Sequence, residues 1–253
     1  PLTSDYRPEV DVTAELDPSK QNYYQGLIGV LRWLCELGRL DLVMPVSLMS
    51  RYLAQARTGH LNQVLHMFAY LKAHARSKLV FDETRPEVDE TRFPDCDWSE
   101  FYPDAKEVLP PDAPEPLGKA VIMSCFVDAD HAGCMRTRKS TSGGVILWGK
   151  ALVKSWSRTQ ALIALSSGES ELHGIAKGIQ HAIGFQSMCR DMGLSKPVHV
   201  HSDATAAIGI ARRRGLGKLR HLDVEDLWVQ EQVRCKKVHL HKVLGTDNPA
   251  DVF

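Results

Sequence analysis

The chain has no long apolar run, no paired-cysteine spacing and no excess of either charge, and each absence removes a class of protein. No stretch reaches the ~18 consecutive apolar residues that a membrane-spanning helix needs. The 253 residues carry 31 Lys+Arg against 31 Asp+Glu. That balance argues against a chain that is basic throughout, but it leaves room for a local basic patch. Six cysteines, at positions 35, 96, 125, 134, 189 and 235, never fall in Cys-x-x-Cys spacing. This speaks against a zinc site of the usual kind and against a disulfide framework, and for a reducing compartment. The first residues lack the basic-then-apolar pattern of a signal peptide, and no internal repeat is visible. An intracellular protein with no membrane part is expected. The chain opens without Met and stops at Asp251-Val252-Phe253, so it reads as a piece of a longer polypeptide.

With 43% hydrophobic and 25% charged residues, the composition is that of an ordinary globular protein, and the texture changes twice along it. Residues 1 to 20 are polar without periodicity and read as a tail. From Asn22 to Lys78 the pattern is helical, with Leu27, Val30, Leu31 and Leu34, then Leu61, Val64, Leu65, Phe68 and Leu71, at helical spacing. Pro45 can open an intervening helix, since proline suits a first turn. Residues 82–118 hold twelve acidic residues, seven prolines and three basic residues, a composition that reads as a linker. From Lys119 the spacing predicts strands at Ala120–Val127, Gly143–Trp148 and Ala151–Trp156, the last two joined as a hairpin through Gly149-Lys150. A helix from Gly168 to Met192 follows, then a strand at Pro197–Ser202 and a helix at Ala204–Arg213. A further helix, Leu222–Cys235, and a strand, Lys236–Val243, complete a mixed α/β domain. The expected division is 1–81, helical; 82–118, linker; 119–253, α/β.

The candidate chemistry lies in carboxylates. Asp128 and Asp203 each end a predicted strand, and in open α/β sheets chemistry gathers at the carboxyl ends of strands. Two such groups repel unless one is protonated or a hard divalent cation joins them. The long helix opens Ser166-Ser167-Gly168-Glu169-Ser170-Glu171, and Ser166-x-x-Glu169 fits a capping box. Residues two apart on a helix point ~200° apart. The stripe below Glu169 (His173, Lys177, Gln180) is polar and that below Glu171 (Ile175, Gly178, Ile179, Ala182) is apolar. Glu171 is therefore expected to face the sheet, with Glu169 capping on the solvent side. Asn248-Pro249 reads as an N-cap and first helical position, which puts Asp251 in an opening turn.

Seven ordered strings, FVDADHAG, RKSTSGG, SWSRTQ, ALSSGESEL, HSDATAAI, RHLDV and NPADVF, make residues 119–253 resemble the ribonuclease H domain of copia-type LTR retrotransposon Pol polyproteins. Upstream, YYQGLIGVLRWL, RLDLVMPVSLMSRYL and HLNQVLHMFAYLKAH resemble the thumb and connection that follow the reverse-transcriptase palm. The resemblance implies a ribonuclease H fold, a mixed five-stranded sheet flanked by helices, preceded here by a small helical region. It implies metal-dependent cleavage of the RNA strand of RNA–DNA hybrids. The family's four acidic ligands carry over onto Asp128, Glu171, Asp203 and Asp251, which would hold two Mg²⁺ ions, with Mn²⁺ as the alternative. Asp128 would bridge both ions, Glu171 and Asp203 would complete one site, and Asp251 the other. The implied partners are the hybrid and the remainder of the polyprotein.

The departures are informative. The polymerase signature Tyr-x-Asp-Asp is absent, and Phe126-Val127-Asp128-Ala129-Asp130 imitates it only superficially. His131 stands where the family commonly has Trp, Leu40 replaces a Pro, and the loop Leu244–Asp247 lacks a histidine that some members carry. The helix after Asp251 would be missing, so its carboxylate is expected on a frayed end. Backbone phosphates would meet Arg136, Arg138, Lys139 and Ser140 on one loop, and Arg212, Arg213, Arg214, Lys218 and Arg220 on another; solvated surface is the alternative for each run, and their position on loops beside the candidate site favours phosphate contact. His199, His201, His239 and His241 alternate along two strands and read as sheet-surface residues, not a zinc cluster. The rivals are three. A DDE-type integrase would place its Glu after both Asp residues, whereas Glu171 lies between them. The other two are a catalytically impaired, hybrid-binding remnant and a purely structural one.

Overall fold

The computed structural model describes residues 6–79, 122–194, 197–215 and 224–253. The acidic segment 82–118, together with Lys218 and Arg220, lies outside the described residues. Three helices come first: α1 (Pro18–Glu36), α2 (Val43–Ser50) and α3 (Thr58–Ala73). Tyr24, Ile28 and Leu31 on α1 close over Val46 and Met49 of α2 and Val64 and Met67 of α3, all buried. The polar opening of the chain is not all tail. Asp17 caps α1 by accepting from the Lys20 amide at 3.0 Å, with Pro18 at the first helical position. Upstream, Glu15 bridges to Arg57 and Pro8 is buried. Asp17-Pro18 is a helix-start signal, but the lack of apolar periodicity around it hides it in the sequence. Helix α2 begins two residues ahead of Pro45, which sits inside the first turn, where its missing N–H costs nothing.

The second part is a five-stranded sheet. Strands β1 (Met123–Ala129), β2 (Thr141–Trp148) and β3 (Ala151–Thr159) form an antiparallel meander. Strands β4 (Val198–Ser202) and β5 (Val238–Lys242) run parallel to β1, in the order β3-β2-β1-β4-β5. Helices α4 (Ser167–Asp191), α5 (Thr205–Arg212) and α6 (Val224–Arg234) connect them. This is the mixed, ribonuclease H-like sheet that the resemblance implies, with a helical region ahead of it. Cys125, Val127, Val198, Val200, Val238 and Leu240 meet Leu172, Ile175, Ile179 and Ala207 in the main core. Alternation sends the histidines of β4 and β5 to the opposite face. There the parallel register pairs His199 with His239 and His201 with His241. Their rings stack 5.0 Å apart, and His201 also stacks on Phe126 at 4.6 Å. They are packed side chains; among the described residues they form no metal-binding cluster.

Candidate metal centre

The site is built where two parallel strands end together. Met123 pairs with Val198 and Phe126 with His201, so continuing that register by two residues sets Asp128 opposite Asp203. Helix α4 crosses the sheet with its first turn above them. It comes this close because Gly178 has no side chain: a Cβ there would lie 2.4 Å from Val127 Cγ1. Gln160, itself buried, ties the layers together. Its amide donates to Ser142 Oγ and to the Ser170 carbonyl, both at 2.8 Å.

This framework brings Asp128, Glu171 and Asp203 together, with one carboxylate oxygen of each within 4.8 Å of the others. All three are half-buried. Glu171 Oε2 is enclosed and makes no hydrogen bond. Burial, the Asp203 charge and the Asp251 charge push the Asp128 carboxyl up to about 6. Burial and the charges of Asp128 and Asp203 push Glu171 up to about 8, partly offset by a hydrogen bond from the Ala129 backbone. A cluster of hard oxygens that repel one another, one of them buried without a donor, is the donor set that a divalent cation satisfies.

Asp251 is near but outside that trio. It is exposed, and burial and Asp203 raise its carboxyl above the ordinary value. The end of the chain is not frayed, contrary to expectation. Asn248 is buried, donates to the Val127 carbonyl at 3.0 Å and caps the turn by accepting from the Ala250 amide at 3.1 Å. Ala250 is fully buried, and Phe253 lies against Gly143, where a Cβ would come within 2.6 Å of Phe253 Cβ. Asn248 and Gly143 therefore position Asp251. The first is visible in sequence only as a cap, and the second only as one of a glycine pair.

Glu169 corrects a second expectation. It caps, but it does not face solvent. Its Oε2 accepts from the Leu165 amide at 3.0 Å, its own amide donates to Ser166 Oγ at 3.2 Å, and it is 6% exposed. The Leu165 amide meets the Glu169 side chain and the Gln160 side-chain amide meets the Ser170 carbonyl, contacts from the preceding loop that a helical-wheel argument cannot foresee. Asp130 accepts from the Thr141 amide where β1 and β2 part.

Of the proposed phosphate contacts, Arg136 and Arg138 are exposed and Lys139 half-buried on the loop that leaves β1 beside Asp128. Ser140 is not available: it is 1% exposed and its Oγ accepts from the Ala132 amide at 3.0 Å. Arg212 is turned inward, donating to the Leu240 carbonyl of β5; Arg213 is half-buried and Arg214 exposed.

No family model matches the chain. Over 232 residues, 91% of its length, it is 22% identical to the Retrovirus-related Pol polyprotein from transposon TNT 1-94 of Nicotiana tabacum, of which it spans 15%. Among solved structures, RNase H1 from the archaeon Halobacterium salinarum is 14% identical with a TM-score of 0.33, covering 51% of this chain and 89% of that one. LC11-RNase H1 in complex with RNA/DNA hybrid gives 12% and 0.36, covering 50% and 88%. The prototype foamy virus protease-reverse transcriptase gives 12% and 0.34, covering 51% and 19%. At these scores the fold rests on the strand order and directions themselves. The chain is thus similar along nearly its whole length to a retrotransposon Pol polyprotein, and its α/β part has a ribonuclease H-like fold.

Proposed function

We propose that this chain is a divalent-metal-dependent endonuclease that cleaves the RNA strand of RNA–DNA hybrids during retrotransposon reverse transcription, in an intracellular setting. The observation that carries the reading is the convergence of Asp128, Glu171 and Asp203 at the carboxyl ends of β1 and β4, with Glu171 Oε2 buried and without a donor. Asp128 would hold both ions, Glu171 and Asp203 one of them, and Asp251 the other. Bound Mg²⁺ or Mn²⁺ supplies an activated water and stabilises the leaving oxygen of an in-line displacement. The protein's own contribution is to hold carboxylates at fixed positions against their mutual repulsion, which the β1–β4 register, the Gly178 contact and the Asn248 anchor accomplish. Arg136, Arg138 and Lys139 would meet backbone phosphates on the loop beside Asp128, and Arg214 on the loop after α5. The same proposal divides the chain into a helical part, 1–81, a linker, 82–118, and the ribonuclease H-like part, 119–253.

The reading is tested by offering labelled RNA–DNA hybrid, duplex RNA and duplex DNA in Mg²⁺ and in chelator. Cleavage of the RNA strand in the hybrid alone, abolished by chelator, supports it. Metal-independent cleavage would refute it, and tight hybrid binding with no cleavage would favour the impaired, hybrid-binding remnant.

A further inference from the structure

A second cluster of charge lies away from the carboxylates. A cleft of about 1030 Å³ opens between α1 and α2 on one side and β3 with the middle of α4 on the other. Five of its lining residues are cationic (Arg32, Arg51, Lys154, Arg158 and Lys177) and one, Glu36, is acidic. Arg32, Arg51, Lys154 and Arg158 are exposed, and none of the five makes an ion pair among the described residues. Their hydrogen bonds go to neutral groups: Arg51 to Thr141 Oγ1 at 3.3 Å, Lys154 to His181 Nδ1 at 3.2 Å and Lys177 to Gln180 Oε1 at 3.2 Å. Five cations brought together from four elements, against one lining carboxylate and with no ion pair among the described residues, repel one another, and that cost is relieved by an anion spread along the cleft. His181, in the same wall, reports the field. Burial, then the charges of Lys154, Lys177 and Arg158, push it down to about 4, so the imidazole stays neutral there.

The cleft begins at the same end of the sheet as the metal centre. Ala129, next to Asp128, pairs with Ser142, and Ser142 pairs with Arg158. Two strand spacings of ~4.8 Å put the backbone of Arg158 about 10 Å from that of Ala129. A nucleic-acid strand advances ~3.4 Å per nucleotide, so this is a span of about three nucleotides. From there Lys154 and Lys177 carry the charge away along β3 and α4.

We propose that this cleft is a second seat for the phosphate backbone of a nucleic-acid duplex, formed jointly by the helical region and the outer strand of the sheet, and gripping it a few nucleotides from the carboxylates. The inference takes the hybrid as the duplex from the functional reading above, but its own support is positive charge that makes no ion pair among the described residues. A purely solvated surface would scatter its cations, and these converge on one walled space shared by both parts of the chain.

The test is binding without chemistry. Fluorescence anisotropy of a labelled RNA–DNA hybrid of about 20 base pairs, in chelator, is followed against salt for the whole chain. Its variants are Arg51→Ala with Lys154→Ala and Arg158→Ala, and Arg51→Lys with Arg158→Lys. The alanine variant should lose about 10-fold or more in affinity at low salt, and its log–log salt slope should flatten by ~0.9 for each phosphate contact removed. The lysine variant should stay within about 3-fold of the parent, because the contacts are to point charges along a backbone. Thermal melts check that the alanine variant is folded, and Lys154→Glu alone should weaken binding in the same direction. Unchanged affinity and slope in the alanine variant would overturn the cleft even if the hybrid is cleaved normally. A cleft that binds in a protein that never cleaves would leave this inference standing and sink the catalytic reading instead. Poly-glutamate binding more tightly than the hybrid, and lost in the alanine variant, would overturn it in favour of an acidic protein partner.

Discussion

Glu169 and Glu171 stand two positions apart on α4 and meet opposite surroundings. Glu169 is satisfied by the Leu165 amide, so its role is to start the helix, and Glu169→Ala is expected to lower stability by about 1 kcal/mol in denaturant titrations. Glu171 has a buried oxygen with no donor and two carboxylates beside it. The consequence is a pH dependence with a definite sign. The Asp128 and Glu171 carboxyls lie above their ordinary values, so between that range and about 8 the native state holds protons that the unfolded chain has released. Stability of the metal-free protein therefore falls as pH rises through about 6 and then about 8. Melting temperatures in chelator should be lower at pH 8 than at pH 5.5, and Asp128→Asn with Glu171→Gln should flatten the difference. At pH 8 Asp128→Asn alone should raise the melting temperature by ~2–4 °C, the shift that about 1 kcal/mol produces in a protein of this size. Mg²⁺ should stabilise the parent at pH 8 and not the double variant.

Helix α4 owes its close approach to the sheet to Gly178, and its glycines differ in a way that can be measured. Gly178 meets Val127 and Cys125 directly, whereas nothing lies within 4 Å of the Cβ that Gly184 lacks. Gly184→Ala should stabilise by about 0.5–1 kcal/mol through helix propensity. Gly178→Ala should cost ~1–3 kcal/mol through overpacking and should also slow any cleavage, because it lifts Glu171 off the sheet. Chemical denaturation of the two variants checks the pair. Elements such as α4 and β4 were legible in the sequence because burial on one face imposes its period on the residues. Boundaries were less so where hydrogen bonding runs past the apolar pattern. Strand β3 continues to Thr159 because Thr141 and Ser142 of β2 pair with Thr159 and Arg158, and neither partner is apolar. The carboxylates were legible as strand ends and a helix start. Residues that act at a distance in the chain were not: Gln160 clasping β2 to α4, and Gly143 admitting Phe253, carry no local signature.

At the scale of the molecule, the helical part and the sheet have separate apolar clusters. They touch where Ser47 Oγ donates to the Ser157 carbonyl at 2.8 Å. The proposed division predicts that Leu31→Ala, in the helical cluster, costs ~2–5 kcal/mol there and leaves amide protection in β1 and β4 unchanged by hydrogen exchange. Loss of protection in both parts together would show one cooperative unit. The centre itself is tested most directly by the rate of RNA-strand cleavage in an RNA–DNA hybrid with Mg²⁺, compared between Glu171→Gln and Glu169→Gln. Both replace a half-buried or buried acid in the same helical turn with its isosteric amide. A metal centre formed by Asp128, Glu171 and Asp203 predicts that Glu171→Gln loses about 100-fold or more, while Glu169→Gln cleaves at nearly the parental rate with reduced stability. Equal rates in the two variants, or loss only in Glu169→Gln, would contradict it.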